Sequence, residues 1–327
     1  MAQENNLKKN LNNLKSTSSS LAFSIIIPVY NEAENLIALH AEISRTMNSL
    51  FKPYEIIFVN DGSTDKGLEV LINLKRKFPE IKIINFTKNF GQTAALDAGI
   101  KHAKGEVLIT MDADLQNDPN DIPRLLRKMD EGYDVVSGWR FNRNDKFSKK
   151  IFSLFANRFR RWLTKEKIHD AGCTLKVYKR SCFKNINLYG EMHRYISTIL
   201  MYKGYKIGEL KVNHRSRKFG ITKYNFRRVF KGLFDLLFIK FWSDFSTRPL
   251  HFFGGLALFQ FGLAILIVIE QIVKALVIGA LNLGPLLVLS VMLVITGFLT
   301  FIFGFLAEIM VRMYYRDSPN YEIKEVL

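Results

Sequence analysis

What this chain has little of narrows it before any motif is read. Only two cysteines, Cys173 and Cys182, occur in 327 residues. Neither has ligand partners at zinc spacing, which argues against a zinc module and leaves both as ordinary core or surface thiols without a disulfide. No glycine-rich phosphate loop of the G-x-x-x-x-G-K-S/T or G-x-G-x-x-G kind follows the first predicted strand. That argues against a P-loop enzyme and a dinucleotide dehydrogenase. Met1–Ser20 is rich in Asn, Ser and Lys and lacks the apolar stretch of a secretory signal, so 1–22 reads as a disordered tail. Acidic residues are the scarcer charge: 30 Asp and Glu stand against 47 Lys and Arg, a net charge of +17.

Such a basic balance suits a nucleic acid, an anionic membrane surface or phosphorylated substrates. Placement favours the membrane and phosphates, and no nucleic-acid role is expected. Basic residues crowd from Arg140 to Lys231 and recur at Arg312 and Arg316, beside two uncharged apolar runs, Phe252–Ile269 and Gly284–Ala307. Each run approaches the ~20 residues of a membrane-spanning helix and is apolar all round. They predict a transmembrane hairpin over 247–311, with spans at about 250–272 and 284–307. Arg248 precedes the first span and Arg312 follows the second, while the link carries only Glu270 and Lys274. By the Lys/Arg bias both termini, including the tail 312–327, face the cytoplasm. Ser290, Gly297 and Gly304 recur every seven residues as a small-residue seam for helix packing, which permits association of hairpins into a homo-oligomer. Glu308 and Arg312 are four apart and predict an ion pair.

Upstream, strand and helix patterns alternate. Strands are predicted at Phe23–Val29, Tyr54–Val59, Ile81–Phe86, Glu106–Met111, Asp134–Ser137 and Thr174–Tyr178. Helices are predicted between them, including Gln92–His102 and Pro119–Met129. Apolar, β-branched strands in this alternation predict an α/β domain built on a mainly parallel sheet covered on both faces. The polar clusters Tyr30-Asn31-Glu32, Asn60–Asp65 and Asp112–Gln116 all follow strands, so they converge on one edge of that sheet, where such folds bind ligands. Asp112 and Asp114 with the amide of Gln116 offer hard oxygen donors for Mg²⁺ or Mn²⁺. Asp118 before Pro119 reads as helix-start chemistry. Asp170 is a lone acid in basic surroundings, open to reading as a structural ion pair. Ile151–Leu163 predicts a helix with Phe152, Phe155, Phe159 and Trp162 on its apolar stripe. His214–Tyr224 is a basic loop, and Lys223–Trp242 has the pattern of an amphipathic helix in the membrane interface.

With IIIPVYNEAENL, VNDGSTD, NFGQTAALDAGI, MDADLQNDP, SGWR, DAGCTLKVYKR, FGITKY and STRPLHFFG in that order, the chain resembles the family 2 glycosyltransferases of GT-A fold. The polyprenyl-phosphate branch, which includes dolichol-phosphate mannose synthase and bacterial polyprenyl-phosphate glucosyltransferases, is the nearest likeness. The resemblance covers about Phe23 to Arg316. It implies a Rossmann-like catalytic domain over 23–215, then a basic loop and juxtamembrane helix over 216–246. It implies transfer of one sugar, with inversion, from a UDP- or GDP-linked donor to a polyprenyl phosphate. Carried over by position, Pro28, Tyr30, Asn31, Glu32, Asp61, Asn89, Asp112 and Ala113 serve the donor. Asp112, Asp114 and Gln116 hold the metal, and Asp114 and Asp170 stand at the reacting centre.

Acceptor phosphate falls to Arg140, Lys150, Arg158, Arg217 and Lys223. The chain departs from the family at Ser153-Leu154, where relatives often carry Ser-Arg; Lys150 or Arg158 is the implied substitute. Two other functions are compatible with the domain. A processive polysaccharide synthase would carry a Q-x-x-R-W motif, of which Phe159-Arg160-Arg161-Trp162 is only an echo. A non-catalytic nucleotide-sugar-binding subunit would leave the carboxylates structural.

Overall fold

The computed structural model describes residues 21–141, 168–184, 186–216, 240–241, 244–245, 248–278 and 284–314. The chain divides into two units, Met1–Leu236 and Leu237–Leu327.

Among the described residues the first unit is organised on seven strands: β1 (Phe23–Val29), β2 (Tyr54–Asn60), β3 (Ile81–Asn85), β4 (Val107–Thr110), β5 (Val135–Arg140), β6 (Lys176–Lys179) and β7 (Ile207–Val212). Their order is β3-β2-β1-β4-β6-β5-β7. Only β6 runs against its neighbours, so the sheet is mixed but mainly parallel. Helices α1 (Ala33–Asn48), α2 (Gly67–Lys77), α3 (Gln92–His102), α4 (Ile122–Asp130) and α5 (Ile196–Tyr202) cover it.

Alternation along β1 explains both layers. Successive side chains of a strand point to opposite faces. Ile25, Ile27 and Val29 pack with Leu36, Leu39 and Ile43 of α1 and Leu125 of α4. Ile26 turns the other way, onto Ala95, Leu96 and Ile100 of α3. Each such isoleucine, fully removed from water, contributes about 1.5–3 kcal/mol. Pro28 is tolerated because pairing with β4 ends at Ile26–Thr110, before the proline is reached.

The strands and helices predicted up to Ser137 are present, with bounds shifted by up to three residues: β5 runs on to Arg140, and the helix expected from Pro119 starts at Ile122. Pro119–Asp121 is a tight 3₁₀ turn ahead of α4, and Asp118 caps it by accepting from the Asn120 N–H (3.0 Å). Strand β7 and helix α5 are additions, since neither was predicted. The expected helices over 151–163 and 223–242 lie outside the described residues, apart from positions 240 and 241.

The second unit contains α6 (Pro249–Ile278) and α7 (Pro285–Tyr314). Both are long and apolar enough to cross a membrane, over Pro249–Val277 and Pro285–Val311. Their contacts run in opposite directions along the chain: a Cβ at Gly304 would meet Phe253, and one at Gly297 would lie 2.7 Å from the Phe261 ring. The helices therefore form an antiparallel hairpin. Ser290 is buried as well. The small-residue seam is used inside one hairpin, where α6 packs against it. Glu270 and Lys274 sit on α6, paired at 2.6 Å, and not in a link. The expected Glu308–Arg312 pair involves a side chain outside those described.

Candidate active site

Strands β1, β2 and β4 are mutually parallel, so the segments leaving their carboxyl ends share one edge of the sheet. The first two polar clusters are laced together there. Asn31, in the left-handed region at φ 57°, accepts from the Thr64 N–H (2.8 Å) and donates its own N–H to Ser63 Oγ (3.1 Å). Asp65 accepts from the N–H groups of Ala33 and Gly67, each at 2.9 Å. Glu32 Oε2 accepts from Asn35 Nδ2 at 2.6 Å. Tyr30 is exposed at the same edge.

Asp61 and Asn89, expected as separate donor contacts, are partners. The buried Asp61 carboxylate accepts from Asn89 Nδ2 (3.0 Å), the Phe90 N–H (2.7 Å) and the Gly91 N–H (3.0 Å). It thereby pins the 89–91 turn against the β2 loop. Gly62 makes this possible: its φ is +65°, and a Cβ would sit 2.3 Å from the Lys88 carbonyl carbon.

The third cluster is the most constrained. Asp112 accepts from Gln92 Nε2 (2.9 Å) through one oxygen and from Thr174 Oγ1 (2.8 Å) through the other. Its N–H donates to Asn117 Oδ1 (3.1 Å). Ala113 and Asp114 are buried. Asp114 Oδ1 accepts from the Gln116 N–H at 3.1 Å. Between them Leu115 adopts φ 60°, a conformation costing a branched residue on the order of 1–3 kcal/mol. Burial of its side chain among Leu36, Leu125 and their neighbours holds it there.

A segment one hundred residues away braces this loop. The Arg215 N–H donates to the Gln116 carbonyl (2.9 Å), and Asn117 bridges His214. The Arg215 guanidinium reaches Glu42 (2.6 Å) and Asp118 (2.7 Å). Burial opposes the charge on Arg215, but the hydrogen bonds it donates to Glu42 and Asp118 override that and raise its pKa. The sequence reading placed His214 and Arg215 in a basic loop and missed this role, for which no local pattern exists.

Arg140 and Asp170 meet in a two-point ion pair, Nε to Oδ2 at 2.7 Å and Nη2 to Oδ1 at 2.9 Å. Burial works against the guanidinium charge, yet the hydrogen bonds and charge of Asp170 hold its pKa above the usual arginine value. Arg140, expected to meet acceptor phosphate, is thus already engaged by a carboxylate. Lys150, Arg158, Arg217 and Lys223 lie outside the described residues.

The family model "Glycosyl transferase family 2" matches residues 24–186. Dodecaprenyl-phosphate galacturonate synthase of Rhizobium johnstonii is 38% identical over 318 residues, 94% of this chain and 93% of that protein. The chain belongs to glycosyl transferase family 2. Among solved structures, glucosyl-3-phosphoglycerate synthase of Mycobacterium tuberculosis is similar to this glycosyltransferase. Its complex with Mn²⁺, uridine diphosphate and phosphoglyceric acid gives a TM-score of 0.53 at 14% identity, covering 69% of this chain and 81% of that one. The complex with Mn²⁺ and UDP-glucose gives 0.52 at 14% identity, covering 70% and 82%. At that identity the likeness is one of fold.

The donor set of the glycosyltransferase fits a hard divalent cation. Asp112, Asp114 and the Gln116 side-chain carbonyl lie within one loop, and Gln116 Nε2 is turned to the Arg215 carbonyl (3.4 Å), which assigns the amide its orientation. Among the described residues no group of three His, Cys, Asp or Glu gathers around one point. Two carboxylates with substrate phosphates and water completing the shell is the arrangement magnesium-like ions favour.

Proposed function

We propose that this glycosyltransferase moves a single sugar from a nucleotide-sugar to a polyprenyl phosphate, undecaprenyl or dolichyl, at the cytoplasmic membrane face. Residues 23–215 are the catalytic domain, 216–246 a basic juxtamembrane segment and 247–311 the anchor, with both termini cytoplasmic. The single observation that carries this is one chain holding both the Asp112–Gln116 carboxylate loop at a sheet edge and two helices long enough to span a bilayer. The Rhizobium relative supports the lipid acceptor, and its name makes a nucleotide-galacturonate the first donor to try.

In the proposed reaction an oxygen of the lipid phosphate attacks the anomeric carbon from the face opposite the nucleoside diphosphate. The bond from that carbon to the diphosphate oxygen breaks, its electron pair leaves with the nucleotide, and configuration inverts. A divalent cation (Mg²⁺ or Mn²⁺) held by Asp112, Asp114 and Gln116 would supply Lewis-acid stabilisation of the departing charge, worth several kcal/mol. Gln92 and Thr174 orient Asp112 for that task, and the Leu115 kink fixes Asp114 beside it. Tyr30, Asn31, Glu32 and Ala113 border the nucleotide, while Asp61 and Asn89 hold the wall of its site. A phosphate monoester has a second pKa of roughly 6, so the nucleophile is already anionic near neutrality and needs little general-base help. Asp170 therefore orients Arg140 toward the reacting centre instead of removing a proton.

Purified protein incubated with radiolabelled nucleotide-sugars and polyprenyl phosphate tests the reading. A lipid product bearing one sugar supports it. A long polymer, or bound nucleotide with no product, overturns it.

A further inference from the structure

Strand β7 carries a carboxylate that stands outside the proposed chemistry. Glu209 lies opposite Ser137 in the register of β7 with β5, and its side chain is 14% exposed. Its Oε1 accepts from two successive backbone N–H groups, those of His169 (2.9 Å) and Asp170 (3.0 Å). Its Oε2 meets His169 Nδ1 at 2.7 Å. An ionised carboxylate can only accept, so Nδ1 holds the proton of that contact. The same imidazole stacks on Trp139 of β5, with ring centroids 4.4 Å apart and planes 14° from parallel.

Pairing with His169 alone does not account for this arrangement, because an ion pair with a half-exposed partner contributes little. The two backbone contacts are different. They fix the peptide planes on both sides of His169, and with them the Cα from which the Asp170 side chain departs. From there Asp170 grips the Arg140 guanidinium at two points, a fork that tolerates little rotation. Glu209 thus holds the backbone behind the carboxylate, while β5, the adjacent strand, holds the arginine. The same loop goes on to deliver the Thr174 hydroxyl to Asp112.

We infer that Glu209 is a positioning residue for transfer: its grip on the His169 and Asp170 backbone aims the Asp170–Arg140 pair at the acceptor's phosphate. This rests on the proposed acceptor reaction and adds to it the side chain that holds the pair in place. Glu209 touches no substrate in this scheme, and its effect passes through Asp170.

The full-length, solubilised protein is assayed with undecaprenyl phosphate and the nucleotide-sugar that the wild type turns over fastest, beside a thermal melt. Glu209→Ala is expected to raise the KM for undecaprenyl phosphate about 10-fold and to change kcat by less than about 3-fold. Glu209→Gln keeps an acceptor oxygen for both N–H groups and should recover most of that loss. Adding Glu209→Ala to Asp170→Asn should cost no more than about 2-fold further, because the two act on one pair. A purely structural role would instead lower kcat in step with the melting temperature, leave KM unmoved and multiply with Asp170→Asn. An unmoved KM, or losses that multiply, overturns the inference. If Glu209→Ala fails to fold, Glu209→Asp takes its place, keeping the charge but too short to span both N–H groups. The same KM rise, relieved in Glu209→Gln, then supports the role, and equal KM values in the two end it. A wild type that transfers nothing to lipid strikes the proposed reaction and this inference with it, whereas an active wild type with an unmoved KM in Glu209→Ala strikes this inference alone.

Discussion

Asp170 and Arg140 hold each other through two parallel hydrogen bonds, 2.7 and 2.9 Å long, with each side chain 14% exposed. Removing one member of such a pair strands the other's charge, at a cost of about 3–5 kcal/mol when burial is complete and less here. Asp170→Asn is expected to lower the melting temperature of the solubilised protein and to leave measurable transfer. Arg140→Lys, which cannot reproduce the planar two-point grip, should raise the KM for polyprenyl phosphate more than it lowers kcat. Complete inactivity of a folded Asp170→Asn enzyme would contradict an orienting role.

Asp114→Asn should behave differently. Under the proposed reaction this substitution takes a carboxylate from the cation, so transfer should fall by at least about 10²–10³-fold while the fold survives. Chelation should abolish turnover and added Mn²⁺ or Mg²⁺ restore it. Steady-state rates beside a thermal melt check this, and full turnover in metal-free protein would refute it.

Gly62→Ala tests the donor wall. At φ +65° with the Lys88 backbone 2.3 Å from any Cβ, the loop must move for alanine to fit. A destabilisation on the order of 1–3 kcal/mol is expected. The larger effect should be on nucleotide affinity, because the displaced 88–91 turn is the one Asp61 holds. Normal melting and normal nucleoside diphosphate affinity together would show that the turn is not held as described.

The hairpin topology is open to chemical labelling. Cys173 and Cys182 are buried, and burial pushes their thiols up to about 11 and about 12, so background reaction is low. Asn282→Cys, between the spans, should react with a membrane-impermeant maleimide from the face away from the cytoplasm. Reaction only after the cytoplasmic face is opened would invert the proposed orientation.

His40 gives a pH dependence. It is buried against the Phe78 ring, with Glu80 at 3.6 Å. Burial lowers its pKa below 6.5, and the neighbouring Glu80 carboxylate offsets this only in part. With the folded value below the unfolded one, the unfolded chain takes up the proton first. The stabilising contribution is therefore complete above 6.5 and is lost as pH falls toward the folded value. Melting temperature should decline from about pH 7 to pH 5 less steeply in His40→Gln than in the wild type.

The sheet up to Ser137 was legible because its strands are short buried runs with helical periodicity between them, and alternation of that kind fixes a parallel arrangement. Strand β7 was not: Ile207-Gly208-Glu209-Leu210-Lys211-Val212 mixes apolar, glycine and charged positions without a clean period. Helix α5 has seven residues, too few for periodicity to register. Insertion of β6 between β4 and β5 depends on long-range pairing that no local pattern encodes. The same division holds at the site. Asp112, Asp114 and Gln116 announce themselves by spacing after a strand. The grip of Asp170 on Arg140, the partnership of Asp61 with Asn89 and the brace from Arg215 join residues 28 to 173 positions apart.

That brace sets a boundary for anyone wishing to separate the catalytic half from its anchor. A truncation ending at Val212 would keep every strand of the sheet yet unfasten the Gln116 carbonyl, Asp118 and Glu42 from their common arginine. Such a protein would fold around a slack Asp112–Gln116 turn and give a misleadingly weak enzyme. Soluble versions should extend at least past Arg215.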